Sequence, residues 1–571
     1  MRAGGRRRAV HPEGVKTSRL TGRIVDLHAR RIFPGTVEWA GGRITRITAD
    51  DRVKAPGFIA PGFVDAHIHV ESSLLPPAEF ARWAVVHGTV ATVSDPHEIA
   101  NVLGVRGVDY MVRDGARSPF KFNFGAPSCV PATAFETAGA ALDARTVAGL
   151  LARPEIKYLS EVMNFPGVLA RDPALRAMIA AARKLGKPVD GHAPGLRGRT
   201  AARYAAAGIT TDHECFTLPE ARDKLKARMK ILIREGSAAR NFAALAPLLK
   251  THPGQVMFCC DDLHPDLLMV RHLDEHVRRA LRGGADRFDV LRCASINPVE
   301  HYRLDVGLLR VGDPADFIVF EGWRDLRVRR TYLRGELVAR DGRTLLPRRP
   351  SRTPNAFRAK ARRVEDFAGR DAVPLPKGGH GDPAPQANVI AALNGQLITR
   401  HGRATLPIEA GAVVADPGRD LLKIAVVNRY RPRAPVAVAL IKGFGLQAGA
   451  IASSVAHDSH NIVAVGADDA SLCAAVNLVI RAKGGLSVVG RGRRAVLPLP
   501  IAGLMSDRDG RSVARSYTRL DAQAKALGSP LDAPFMTLSF MALLVIPDLK
   551  LSDRGLFSAA KWGFVPLAER R

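Results

Sequence analysis

Two histidines spaced i, i+2 close an apolar run, Gly62-Phe63-Val64-Asp65-Ala66-His67-Ile68-His69. Alternate side chains of a β-strand leave on one face, so a strand here lets His67 and His69 reach a single metal ion. Ala60-Pro61, just before the run, reads as a turn into that strand. His-x-His alone is a common accident. With further histidines and carboxylates downstream it marks the start of a hydrolytic metal centre.

Those side chains need a scaffold, and the chain supplies a periodic one. Eight β-prone runs alternate with helix-like stretches such as 78–87, 173–185 and 199–207. The runs end at His69, near His97, at Gly125-Ala126-Pro127, at Glu161, at His192, at His213, at Arg234-Glu235 and at Asp261-Asp262. Eight β-α units predict a closed parallel barrel over residues 60–304. Polar residues gather at the C-terminal ends of its strands, where such barrels carry their chemistry. Short β-patterned segments at 20–59 and 305–348 are expected to combine into a small composite β-sheet domain. Residues 349–388, rich in Pro, Arg and Gly, read as a linker, and 389–571 as a C-terminal α+β domain. The expected fold class is α/β, a (β/α)8 TIM-like barrel with these two additions, behind a basic N-terminal tail at 1–19.

Composition bounds the rest. The 571 residues are 46% hydrophobic and 24% charged, enough for several packed cores. No apolar run approaches the ~18 residues of a membrane helix, and no apolar segment follows the basic start, so neither a membrane span nor a secretory signal is expected. Six cysteines in so long a chain do not form a disulfide framework, and a reduced, cytoplasmic protein is expected. Lys and Arg (84) exceed Asp and Glu (55) by 29, a surplus that permits nucleic-acid contact. The basic residues carry no interleaved aromatics, which make up 6% of the chain, so solvated charged faces are the favoured reading.

The strand-end groups make one constellation: His67, His69, Glu161, His192, His213 and Asp261. Singly, a histidine after a strand is more often a satisfied core group, and Asp261-Asp262 could cap a helix. Jointly they suit two cations of the Zn, Mn or Fe type, with Glu161 placed to bridge them.

Longer motifs then match a known family. They include Val70-Glu71-Ser72-Ser73, Asp95-Pro96-His97-Glu98-Ile99-Ala100-Asn101-Val102, Glu161-Val162-Met163-Asn164-Phe165-Pro166-Gly167-Val168, Asp190-Gly191-His192-Ala193-Pro194, Thr211-Asp212-His213-Glu214-Cys215 and Asp261-Asp262-Leu263-His264-Pro265. Lys442-Gly443-Phe444-Gly445 and Ser453-Ser454-Val455-Ala456-His457-Asp458-Ser459-His460-Asn461 extend the match into the third domain. On these the chain resembles the amidohydrolase superfamily and, within it, the adenine deaminases. The resemblance implies hydrolytic deamination of adenine to hypoxanthine and ammonia, by a metal-activated hydroxide attacking purine C6. It implies that His67 and His69 hold one metal and His192 and His213 the other, with Glu161 bridging where many members use a carboxylated lysine. Asp261 touches metal and, with Glu161, moves protons; the neighbouring Asp262 leaves that assignment open by one residue. Asp95, His97 and Glu98 serve substrate or an additional metal. The implied cofactor is a binuclear divalent pair, Mn²⁺ first with Fe²⁺ and Zn²⁺ open, and the implied assembly a homodimer or larger. Cys260 and Cys293 depart from the family pattern without removing a ligand.

Other readings remain to be weighed. Cytidine-type zinc deaminases need H-x-E and then P-C-x-x-C; His69-Val70-Glu71 fits the first half, but no C-x-x-C occurs. Gly443-Phe444-Gly445 misses a dinucleotide loop because Gly449 comes one place late. His457-Asp458-Ser459-His460 reads as a second metal site, a surface turn or a lid over the barrel mouth, and its small, apolar flanks favour the lid. Rival enzymes are a deaminase of another aminopurine and a cyclic-amide hydrolase, the latter expecting a lysine where Glu161 stands. From a different class, a nucleic-acid-binding protein with an inactive barrel fits the charge but not the intact ligand set.

Overall fold

A computed structural model describes residues 17–54, 57–370 and 385–569. The tail expected at 1–19 falls largely outside the described residues, as does 371–384 of the expected linker.

The expected α/β barrel is present. Its strands are β1 (Phe63–Ile68), β2 (Thr89–Ser94), β3 (Lys121–Ala126), β4 (Ile156–Val162), β5 (Val189–Gly191), β6 (Thr211–Asp212), β7 (Lys230–Arg234) and β8 (Val256–Cys259). β1 to β5 form one parallel run and β6 to β8 another. Backbone hydrogen bonds close both seams. The Thr210 N–H donates to the Val189 carbonyl at 2.8 Å, linking β5 to β6. Across the other seam the Asp261 N–H donates to the His67 carbonyl at 2.9 Å, and the His69 N–H to the Asp261 carbonyl at 3.1 Å. The barrel therefore joins β8 to β1 through the very residues that bear the candidate ligands. β1 and β2 are buried along their whole length, as strands of a parallel sheet covered on both faces must be. Helices Pro77–Ala84, Pro173–Lys184 and Gly198–Ala206 occupy the expected helical stretches. The Asp172 carboxylate caps the second of these by accepting from the Leu175 N–H at 3.0 Å.

Flanking segments meet in an eight-stranded sheet. Phe58–Pro61 pairs in parallel with Ser18–Asp26 and antiparallel with Phe317–Glu321, joining the two sides of the chain. Trp39, Phe317 and Tyr332 pack edge-to-face and stacked at its centre, with ring centroids 4.6–5.7 Å apart. Gly335, at φ 79°, lies against the Trp39 indole, whose Nε1–H donates to its carbonyl at 3.1 Å. A Cβ there would meet that ring at 2.3 Å, so both conformation and space require glycine.

A third sheet includes Gln386–Ala392, Leu422–Val427, Val436–Lys442, Ile462–Gly466 and Gly485–Gly490 and is covered by helix Asp469–Arg481. Residues 349–370 run along this unit. The Arg358 N–H donates to the Arg429 carbonyl at 2.8 Å, the Pro354 carbonyl accepts from Ala502 at 2.7 Å, and Phe367 is fully buried. A continuous apolar core runs from the barrel into the third unit, each fully buried Val, Ile or Phe contributing about 1.5–3 kcal/mol. All six cysteines are buried and free. Among the described residues no helix is long and apolar enough to cross a membrane.

Candidate metal centre

The six candidate side chains leave the barrel at one mouth. His67 lies within the end of β1, with His69 just beyond it. Glu161 is the penultimate residue of β4, and His192 and His213 follow β5 and β6 directly. Asp261 stands two residues past β8 with a left-handed φ of 57°, a conformation aspartate tolerates better than most residues. All six are buried.

Glu161 is central. Its Oε1 lies 3.3 Å from His69 Nε2 and 3.4 Å from His97 Nδ1, and its Oε2 lies 2.7 Å from His192 Nδ1 and 3.2 Å from His213 Nε2. One carboxylate thus faces two pairs of imidazoles. Asp261 Oδ1 is 3.4 Å from His67 Nε2 and 3.2 Å from His69 Nε2, while its Oδ2 accepts from Arg234 Nη1 at 2.5 Å. The His67 and His69 Nε2 atoms are 3.2 Å apart, and the His67 and His213 rings stack at 4.2 Å.

Donor atoms of His67, His213 and Asp261 lie within 4.8 Å of one another, as do those of His69, Asp95, His97 and Glu161. These groupings overlap rather than divide: His67 and His69 share Asp261 Oδ1, and His192 and His213 share Glu161 Oε2. They also bring His97 to Glu161, closer to the centre than its place in the sequence suggests.

Electrostatics point to a cation. Burial raises carboxyl groups and strips imidazoles of protons. Here burial is outweighed: His192, His213 and His69 hold Glu161 well below the carboxylate range, and Arg234 and the two β1 histidines do the same for Asp261. Against the same burial, Asp261 and Glu161 hold His69 well above its ordinary value, and Asp95 does so for His97. Buried carboxylates in such number need positive charge, and the same nitrogen and oxygen atoms are the ligands of divalent ions. The Asp95 carbonyl, 3.3 Å from His69 Nδ1, fixes that nitrogen as the donor and leaves the Nε2 lone pair for a cation. His192 Nε2 is buried without a hydrogen-bond partner among the described residues. The residues present fit a buried metal site.

The two neighbouring aspartates separate cleanly. Asp262 is bonded elsewhere: its Oδ1 accepts from Ser72 Oγ at 2.5 Å, and burial beside Asp261 raises it. Asp95 Oδ2 is 2.9 Å from His97 Nδ1. Glu98 points outward to the third unit, bonded to His457 Nδ1 and, at 2.5 Å, to His460 Nε2. The run 457–460 is therefore no surface turn: all four residues are buried over the barrel mouth.

Sequence reasoning missed the partners of the ligands. Arg234, at the end of β7, binds both Asp261 and Glu214. Its strand-end position was the available signal. Glu214 directly follows His213, and Arg234 holds it below its usual value despite burial. A tight cavity of about 20 Å³, room for roughly one water molecule, lies over the cluster. Met163 from the barrel and Leu397, Phe540 and Leu543 from the third unit give it apolar walls.

Comparison with known proteins shows the family. A model of the amidohydrolase family matches residues 58–338, and one of the adenine deaminase C-terminal domain matches residues 396–562. An adenine deaminase of Salinibacter ruber is 57% identical over 547 residues, covering 96% of this chain and 98% of its own length. One from Sulfurovum sp. is 54% identical over 96% of this chain and 99% of its own. Among solved structures, the D-hydantoinase (dihydropyrimidinase) of Thermus sp. aligns over 57% of this chain and 96% of its own, at 14% identity and a TM-score of 0.44. The chain belongs to the adenine deaminase family of the amidohydrolases.

Proposed function

We propose that this chain hydrolyses adenine to hypoxanthine and ammonia at the barrel mouth. The observation that carries this reading is the Glu161 carboxylate, faced by His69 and His97 on one oxygen and by His192 and His213 on the other. In our reading His67, His69, Glu161, His192, His213 and Asp261 hold two divalent ions, Mn²⁺ in the cytoplasm, with Asp95 and His97 supporting them from β2. When bound, the metal pair supplies a nucleophile at neutral pH by lowering the pKa of water and withdraws charge from the reacting carbon.

The side chains do the remaining work. Asp261 accepts a proton from the attacking water and returns it to the departing amine, a general base and then a general acid. Its bond to Arg234 weakens it as a base and eases that return. Glu214, on the other side of Arg234, fixes the guanidinium in place. Met163, Leu397 and Leu543 exclude water and flank a planar ring. The barrel carries the chemistry, and residues 389–571 close the cavity above it.

An ammonia-release assay with adenine, adenosine, guanine and dihydroorotate tests the reading, run with added Mn²⁺ and after chelation. Adenine is expected to react fastest, with activity lost on chelation and restored by Mn²⁺. Release from another aminopurine in preference to adenine, or turnover of dihydroorotate, would overturn the substrate assignment.

A further inference from the structure

His457 comes from the third unit, yet its ring stands in the cavity wall. Its Nδ1 is committed to Glu98, whose other oxygen is taken by His460 Nε2. His460 is fixed in turn: its Nδ1 accepts from the Ala456 N–H at 3.2 Å, so its proton sits on Nε2 and points at Glu98. Glu98 is therefore an acceptor for both imidazoles, and the His457 ring cannot rotate without breaking that bond. Phe540 stacks on the ring at 4.3 Å and 15°, pinning its plane. His457 Nε2 is buried without a hydrogen-bond partner among the described residues, on a ring that lines the cavity. Asp262 Oδ1, at 4.0 Å, is beyond hydrogen-bond reach but lends negative potential that favours an N–H on that nitrogen.

A buried, oriented imidazole nitrogen without a partner is costly unless a ligand supplies one. We propose that His457 is a further substrate-contacting residue, held by Glu98 and presenting Nε2–H to a ring nitrogen of the bound aminopurine. The inference rests on the deaminase reading above and adds to it the group that holds the ring from the third unit. A hydrogen bond to a ring nitrogen draws electron density from the heterocycle as C6 is attacked. It therefore strengthens toward the transition state and belongs in kcat as well as KM. Glu98 and His460 act through His457 and are positioning residues.

The test compares metal-loaded wild type with His457→Ala, His457→Gln and His460→Gln. The readouts are adenine kinetics, metal content per chain and the rise in Tm on adding hypoxanthine. His457→Ala is expected to lower kcat/KM roughly a hundredfold, the range for losing one positioned donor. Its metal content is expected to be unchanged and its hypoxanthine-induced Tm rise lost. His457→Gln, which keeps a side-chain N–H and decides the matter if the alanine variant does not fold, should recover part of both. His460→Gln should lower kcat by a smaller factor. Wild-type kinetics in a folded His457 variant would overturn the proposal, as would loss of a whole equivalent of metal, which would make the cluster a metal site. If wild type itself releases no ammonia from adenine, the functional reading fails instead, and the Tm rise with hypoxanthine still reports whether His457 contacts a purine.

Discussion

The floor and the roof of the cavity are built by opposite means. The floor is polar and comes from one repeating device, a parallel strand that ends in an imidazole or carboxylate, used at β1, β4, β5, β6 and just past β8. The roof is largely apolar and comes from irregular segments, Leu397, Phe540 and Leu543, with His457 its one imidazole. Strand ends hold a ligand rigidly because its backbone is fixed by ladder bonds on both sides. Loops from a separate unit can vary in sequence without disturbing the metals. The contrast implies a division of labour, with rate set by the floor and by His457, and fit by the apolar part of the roof.

Substitution on the two sides should split kcat from KM. Asp261→Asn keeps the size and a metal-facing oxygen but cannot take a proton, so kcat is expected to fall roughly a thousandfold with KM for adenine little changed. Steady-state kinetics on protein of verified metal content measures this. Leu543→Ala removes part of the roof and no chemistry: KM should rise roughly tenfold while kcat stays within about twofold. If Leu543→Ala instead depresses kcat as far as Asp261→Asn does, the division between floor and roof is wrong.

The same contrast explains what was legible in the sequence. The period-2 spacing of His67 and His69 identifies a shared strand face without coordinates, and β5 and β6, only three and two residues long, are found because a histidine closes each. Alternation fails at Asp261 and Asp262. β8 ends at Cys259, and the positive φ at Asp261 rotates the next side chain by a rule that no strand period contains. The Arg234–Asp261–Glu214 link was invisible for another reason: each residue sits at a readable strand end, but which neighbours pair depends on barrel tilt. The roof offers no period at all. His457 meets Glu98 across 359 residues of chain, a contact set by how two units dock. Residues 349–370 read as a connection from their Pro and Arg, yet Phe367 is buried in the third unit, a single aromatic outweighing the composition around it.

The smallest expected effect separates imidazoles in the site from one in the frame. His276 lies behind β8 in helix Leu273–Arg282; its Nε2–H donates to the Cys259 carbonyl at 2.8 Å, and its ring packs near Phe258. Unlike His69, it is not drawn upward by a bonded carboxylate: burial pushes its pKa down to about 4. Below the ordinary histidine value of ~6.5 the unfolded chain takes up a proton that the folded chain refuses, so stability falls as pH drops from about 6.5 toward about 4. The slope from this one group approaches roughly 1.4 kcal/mol per pH unit in that window. His276→Gln keeps a donor for the Cys259 carbonyl and removes the titration. Chelated wild type and variant, unfolded in guanidinium at pH 6.5 and pH 5, should therefore differ in their acid loss by about 1–2 kcal/mol, the variant losing less. Equal losses would mean that His276 is as well supplied with negative charge as the histidines at the barrel mouth, and that the distinction between frame and site does not lie in their carboxylates.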